Sequence, residues 1–146
     1  MEFEKSSLFI WRGRILYAGL EGYTTEPHRH YAASLLLGLD EPIGLATDFD
    51  SGGSAGTRES ARCWLLGPNL EHQSLAAGRV AVIQLDPDSA RFAAMADRLS
   101  TAGYCRLDPE LADAQITGEL AKLYLDGVDC GFADGLFTEL LHRLFV

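Results

Sequence analysis

The feature that most constrains this chain is a series of short apolar segments in its first 86 residues, each bounded by glycine, proline or aspartate. Short strands repeated at intervals of about 8–12 residues are typical of an antiparallel sandwich or barrel. In "GRVAVIQL", Val80, Val82 and Gln84 would share one strand face, because side chains alternate along a strand. The predicted strands are "SLFIW" and "RILYAGL" around a turn at Arg12-Gly13-Arg14, then "YAASLLLGL", "IGLATDF", "ARCWLLG" and "GRVAVIQL".

One segment in this part lacks apolar alternation. The stretch "DFDSGGSAGTRES", residues 48–60, is rich in glycine and serine. Such a composition predicts an exposed, mobile hairpin loop between two strands.

After residue 86 the hydrophobic period changes to that of helices. Asp86 is a candidate N-cap with Pro87 at the first helical position, and Gly103 ends this unit. A second unit runs from Asp108 to Gly127. The chain is therefore predicted to be α+β and mainly β, with a barrel over 1–86 and a helical segment over 87–146. The apolar stripe of the first helix is formed by Phe92, Met95, Ala96 and Leu99.

The last segment, "DCGFADGLFTELLHRLFV", is strongly apolar and ends without a C-cap. A helix with such a wide stripe predicts either an interface with a second copy or docking on the barrel. It also suggests a chain that continues further in the natural protein. The residues predicted to form a dimer interface are Leu136, Phe137, Leu140, Leu141 and Leu144.

Charge and composition exclude several classes of function. With 21 acidic and 12 basic residues the net charge is −9, which disfavours nucleic-acid binding by this chain itself. No basic and apolar leader opens the sequence, and no run of 18 uncharged apolar residues predicts a membrane span. Three cysteines without CxxC spacing favour reduced thiols in a cytoplasmic protein.

The strongest functional signal is a pair of histidines in "GYTTEPHRHY". His28 and His30 would share one strand face, and His72 would open a later strand after a turn at Pro68-Asn69. Three neutral imidazoles suit Zn, Fe, Mn or Ni and leave coordination positions open. The alternative is a pocket in which the imidazoles bind one another, a carbonyl or an organic ligand.

These motifs resemble those of cupins. "GYTTEPHRH" resembles the first half of the cupin motif, Gly-x5-His-x-His, and "GPNLEH" resembles the turn before the second cupin histidine. The glutamate that usually follows the histidine pair is missing, since no carboxylate lies within five residues after His30. The order of barrel, "VIQLDPDSARF" and two acidic-capped helices is similar to the N-terminal domain of AraC-type transcription regulators.

The resemblance implies a cupin barrel, a double-stranded β-helix or jelly roll, that binds a small-molecule effector. It further implies a homodimer formed through the helices, and DNA binding through a C-terminal helix-turn-helix domain absent from this chain. A non-catalytic sensor is expected; a stand-alone three-histidine cupin enzyme, a dioxygenase or isomerase, is the alternative. The ligand-binding residues expected are His28, His30, His72, Tyr31 and Trp64, although Trp64 also suits the core.

Overall fold

The computed structural model describes residues 7–11, 14–19, 24–99 and 101–107, together with 135, 138 and 139. Within these residues the chain is mainly β and forms two antiparallel sheets. The first has the order β1-β2-β8-β3-β6-β9, and the second has the order β5-β4-β7. The strands are β1 Ser7–Trp11, β2 Arg14–Gly19, β3 Ala33–Gly38, β4 Ile43–Phe49, β5 Ala55–Ala61, β6 Cys63–Leu66, β7 Gln73–Leu75, β8 Val80–Leu85 and β9 Tyr104–Arg106.

All six predicted strands are present, and β4 coincides with "IGLATDF". The pairing of Trp11 with Arg14 closes the predicted turn between β1 and β2. Strand β8 lies between β2 and β3 and is buried along most of its length. It carries apolar side chains on both faces, as expected for a central strand that is covered on both faces.

The inner faces of the two sheets enclose an apolar core. Leu36 lies opposite Trp64 on one side and Val82 on the other, so the three side chains share the inner face of the first sheet. Trp64 also donates a hydrogen bond from its indole Nε1 to the carbonyl oxygen of Ile43 in the second sheet, at 2.9 Å. The buried members of this core cluster are Leu36, Ile43, Leu45, Trp64, Leu66, Ala76, Val80 and Val82.

The long loop predicted over residues 48–60 is shorter than expected. The turn occupies 50–54, and the rest is strand β5, which pairs with β4 from Ala55 to Ala61. Its residues are mostly exposed, as predicted. The prediction missed β5 because backbone hydrogen bonds to β4 hold this edge strand, and an exposed edge shows no apolar alternation in sequence.

The predicted N-cap of the first helix is wrong. Helix α1, Ala90–Met95, is capped by Ser89, whose side chain accepts a hydrogen bond from the backbone N–H of Phe92. Asp86 instead belongs to the preceding turn, where its carboxylate accepts a hydrogen bond from the N–H of Asp88 at 2.9 Å. Aspartate readily forms such local turns, which compete with helix capping.

Beyond α1 the segment after residue 86 is not purely helical. A 3₁₀ turn, Ala96–Arg98, follows α1, and β9 then pairs with β6 in the first sheet. The predicted stripe is buried at Phe92 and Met95. Gly103 has a φ of +88°, a left-handed conformation that suits glycine between these two elements.

The second predicted helix lies outside the described residues, as does Cys130. So do Leu136, Phe137, Leu140, Leu141 and Leu144 of the predicted dimer interface. Gly135, Thr138 and Glu139 are helical. Among the described helical residues, none forms a helix long and apolar enough to span a membrane.

Two of the three cysteines are described, and both are free thiols. Cys63 is fully buried on β6, and this burial raises the pKa of its thiol to about 12. Cys105 on β9 is half-buried, and its thiol pKa is raised mainly by desolvation. High pKa values keep both groups in the unreactive thiol form, as expected for reduced structural cysteines.

Candidate metal centre

Two of the three histidines are placed by the pairing of distant backbone segments. The N–H of His28 donates to the carbonyl oxygen of His72, and the N–H of His72 donates to that of His28, both at 2.9 Å. Residues paired in this way lie directly opposite each other, so their side chains project to the same side. His72 immediately precedes β7, as the sequence predicts.

His30 joins them from two residues further along. Its carbonyl oxygen accepts a hydrogen bond from the N–H of Asn69 at 2.8 Å. Asn69 has a φ of +60°, and Pro68 and Asn69 form the turn predicted before His72. The turn therefore ties the segment with His30 to the segment with His72.

The three imidazole rings form a compact cluster. The ring centroids of His28 and His72 are 4.5 Å apart, and His30 lies 5.4 Å from each of them. One nitrogen from each ring lies within 4.8 Å of the other two, a spacing that could hold a metal ion. The structure thus brings together all three of the histidines predicted as ligands.

The hydrogen bonds of these rings determine which nitrogen carries the proton. Nδ1 of His28 lies 2.8 Å from the carbonyl oxygen of Glu26, and Nδ1 of His30 lies 2.9 Å from that of Ala32. Nδ1 of His72 lies 2.9 Å from the carbonyl oxygen of Leu70. A carbonyl oxygen can only accept, so each Nδ1 must donate and each neutral ring must present an unprotonated Nε2.

This tautomer rules out mutual hydrogen bonding between the neutral rings, because none has a second N–H to donate. Nε2 of each ring is then the nitrogen available to a metal, and three imidazole nitrogens are a donor set that a divalent transition metal takes from histidines. A second hydrogen bond at Nδ1 is the usual way in which proteins orient a ligating imidazole. The residues present therefore fit a metal ion.

The imidazole of His72 has a low affinity for a proton in the folded chain. This side chain is 3% exposed, and burial lowers its pKa to about 4, with smaller contributions from the neighbouring His28 and His30. Desolvation disfavours the charged imidazolium. His72 is therefore held neutral, in the form that binds metals.

Tyr31 and Trp64, the other two predicted ligand-binding residues, lie elsewhere. Tyr31 is 59% exposed and donates a hydrogen bond from its hydroxyl to Asp88 at 2.7 Å, which raises the pKa of the phenol. Trp64 packs in the apolar core, with its ring 6.0 Å from that of Tyr104. Neither contributes to the histidine cluster, and their predicted role in ligand binding stays a prediction.

The charged neighbours of the histidines pair with each other. Arg29 is exposed and forms an ion pair with Glu71 at 3.4 Å. Both residues are adjacent in sequence to a histidine of the cluster, and their side chains are 62% and 40% exposed. Among the described residues, no carboxylate joins the histidine group.

Three buried hydroxyl-bearing residues were not predicted, and one of them, Ser34, lies beside the cluster. Ser34 is buried, with its Oγ 3.5 Å from Nε2 of His30. Thr47 and Ser74 are also buried, and their hydroxyl oxygens have no hydrogen-bond partner among the described residues. A sequence signal existed, because Thr47 alternates with apolar Ile43 and Leu45 and is thus directed inward.

Comparison with known proteins gives distant structural similarity. No protein-family model matches the chain, and no curated protein matches it. Among solved structures, the chain is similar to a point mutant of Bacillus subtilis oxalate decarboxylase, with 14% identity, a TM-score of 0.45 and coverage of 63% of this chain and 28% of that one. A protein from Neisseria meningitidis has 14% identity, a TM-score of 0.43 and coverage of 58% and 87%.

An RmlC-like cupin from Shewanella frigidimarina has 13% identity, a TM-score of 0.39 and coverage of 61% and 80%. The chain spans less than a third of the length of the oxalate decarboxylase that it matches. Sequence identities and TM-scores this low do not support a conclusion about function.

Proposed function

We propose that this chain is a cupin-type domain that binds one divalent metal ion through Nε2 of His28, His30 and His72. The observation that carries the proposal is that Nδ1 of each ring is bonded to a backbone carbonyl, which leaves Nε2 as the available ligand atom, in three rings whose ligand nitrogens lie within 4.8 Å of one another. Imidazole donors favour Zn, Fe or Ni over Mg or Ca. When bound, the metal would supply open coordination positions and a positive charge for a small molecule.

Elemental analysis of protein purified without a histidine tag tests this proposal. We expect close to one ion of Zn, Fe, Mn or Ni per chain, either as isolated or after dialysis against the metal. Since the metal binds the folded state, the loaded protein should also unfold at a higher temperature than the chelator-treated protein. Failure to retain stoichiometric metal under both conditions would contradict the proposal.

We further propose that the metal centre binds an effector and that the domain serves an AraC-type transcription regulator. This step is supported by the sequence resemblance, in which a cupin barrel precedes helices that dimerise. Ligand binding would change regulation by favouring one of two arrangements of the chain, which requires different contacts in each. DNA binding would belong to a further domain, because this chain carries a net charge of −9.

The dimer required by a regulator of this type gives a separate test. Light scattering at micromolar concentration is expected to report twice the mass of the chain. Replacing Leu140 and Leu144 of the apolar stripe by glutamate is expected to shift the protein to monomer. Burying the unpaired carboxylates at an interface would cost free energy. A natural chain that is monomeric at high concentration would contradict dimerisation.

The alternative is a metal-dependent cupin enzyme. The observation that favours it is the number of protein ligands, because three histidines leave coordination positions for a substrate, as in catalytic metal sites. Turnover of a small molecule by the metal-loaded chain, lost when the metal is removed, would support the enzyme over the sensor.

A further inference from the structure

A cleft lies at the opposite end of β3 from the histidine cluster. His30 precedes β3, whereas Arg62 donates hydrogen bonds to the carbonyl oxygens of Gly38 and Leu39 at the far end of this strand, at 2.9 and 3.1 Å. A strand of six residues is about 20 Å long, so the cleft and the histidines are separate sites. The cleft has a volume of about 280 Å³ and is lined by Pro42, Ser60, Ala61, Arg62, Arg106 and Leu107.

Backbone carbonyl groups hold both arginine side chains of the cleft. Arg62 uses its Nε and Nη2 for the two carbonyl oxygens at the end of β3. Arg106 donates from Nη2 to the carbonyl oxygen of Ser60 at 3.0 Å, and its guanidinium carbon lies 5.6 Å from the ring centroid of Trp64. A guanidinium has five N–H groups, so each side chain is oriented by these contacts and keeps further donors for a ligand.

The positive charges of this arginine pair are not neutralised within the described chain. Among the described residues, no carboxylate forms an ion pair with either guanidinium. The carboxylate of Asp40 is bound by Arg79 at 2.7 and 2.9 Å, and that of Glu59 accepts a hydrogen bond from the hydroxyl of Tyr104 at 3.3 Å. In a chain with a net charge of −9, two arginines without an acidic partner beside one cleft favour an anionic ligand.

The remaining lining residues are mostly apolar and select the body of the ligand. Leu107 is buried, and Ala61 is partly buried against the apolar core cluster. Pro42 adds a third apolar side chain. Ligand sites usually combine such apolar walls with a few polar groups that fix the orientation of the ligand. The volume is close to the lower limit of about 300 Å³ for ligand sites, so the ligand must be small.

We infer that this cleft is a second binding site, which takes a small organic anion with a carboxylate and an apolar body, such as an aromatic acid. The free N–H groups of Arg62 and Arg106 donate to the carboxylate, and the apolar body packs against Pro42, Ala61 and Leu107. The site needs no metal and is independent of the metal centre proposed above. Its ligand contacts both sheets, since Ala61 belongs to β5 and Arg106 to β9.

Backbone amide NMR spectra of isotope-labelled, chelator-treated protein test this inference. Benzoate is the probe, benzamide is a neutral compound of the same shape, and acetate carries the charge without the ring. We expect benzoate to shift the amide signals of residues 60–62 and 106–107 saturably, with a Kd on the order of 1 mM. Benzamide and acetate should each bind at least about 10-fold more weakly, because one lacks the charge and the other the apolar body.

The variant Arg106→Gln removes one of the two charges and keeps an amide that can donate to the carbonyl oxygen of Ser60. It should weaken benzoate binding by about 10-fold, the usual loss for a hydrogen bond to a charged group. The matched control is Arg58→Gln, which makes the same change of charge at an exposed residue of β5 that does not line this cleft. The control should bind benzoate like the natural chain.

Several outcomes overturn the inference. Absence of saturable shifts at the cleft does so, as does an affinity for benzamide or acetate equal to that for benzoate; these comparisons use the natural chain and do not depend on the folding of a variant. An equal loss of affinity in Arg58→Gln and Arg106→Gln would show a response to overall charge only. Shifts that appear only after Zn²⁺ is added would place the anion at the metal centre. None of these results changes the metal content by which the proposed function is tested.

Discussion

The variant His72→Asn is expected to bind Zn²⁺ at least about 100-fold more weakly than the natural chain. Mutation of residues that only hydrogen-bond to a metal ligand already lowers metal affinity by about 10–100-fold, and loss of a ligand should cost at least as much. Asparagine can keep the hydrogen bond that the Nδ1 of His72 makes with the carbonyl oxygen of Leu70. It lacks a counterpart of Nε2, so the site loses one of its three nitrogen ligands. The loss of affinity would then report on metal ligation and not on the local backbone.

Isothermal titration of Zn²⁺ into metal-free protein measures this effect. The matched control is Gln73→Ala, which changes the next residue along the chain, whose side chain projects to the opposite face. The control should bind Zn²⁺ with the affinity of the natural chain. Equal affinities for the natural chain and His72→Asn would contradict a three-histidine site.

The metal-free protein is expected to lose about 3 kcal/mol of folding free energy as the pH falls from 6.5 towards 4, because of His72 alone. The pKa of this imidazole is about 4 in the folded chain, where burial disfavours its charged form, against 6.5 when it is solvated. Between these values the unfolded chain binds a proton that the folded chain does not bind. The contribution is therefore fully present above pH 6.5 and is lost as the pH falls.

Urea unfolding of metal-free protein across this pH range measures the effect, and His72→Asn separates it from the titration of carboxyl groups. Asparagine does not titrate, so the difference in stability between the natural chain and the variant should shrink as the pH falls. Parallel stability curves for the two proteins would show that His72 does not stay neutral in the folded state.

Both expected results have the same physical origin. The fold keeps His72 buried, neutral and with its Nε2 unprotonated, which costs stability in acid and prepares the site for a metal ion. Metal affinity and acid sensitivity should therefore be lost together in His72→Asn. Their joint loss would link the cluster to function, because buried groups with perturbed pKa values often belong to functional sites.

Much of the fold could be predicted from local sequence patterns. Strands such as Ile43–Phe49 and Val80–Leu85 carry apolar side chains that face a core, and these appear in the sequence as short apolar runs. Strand Ala55–Ala61 does not, because its stability comes from hydrogen bonds to a neighbour and its side chains are exposed. The helix start was misplaced because Asp86 suits a turn as well as a cap.

The sequence by itself determined that His28 and His30 lie close together, because this follows from the spacing of neighbouring residues. The tertiary structure decided that His72 completes the cluster, since its pairing with His28 joins segments more than forty residues apart. It also decided the tautomers, through carbonyl oxygens that no sequence pattern places, and it brought the hydroxyl of Ser34 to within 3.5 Å of His30. Pairing between distant strands sets these contacts, and local periodicity carries no information about the partner of a strand.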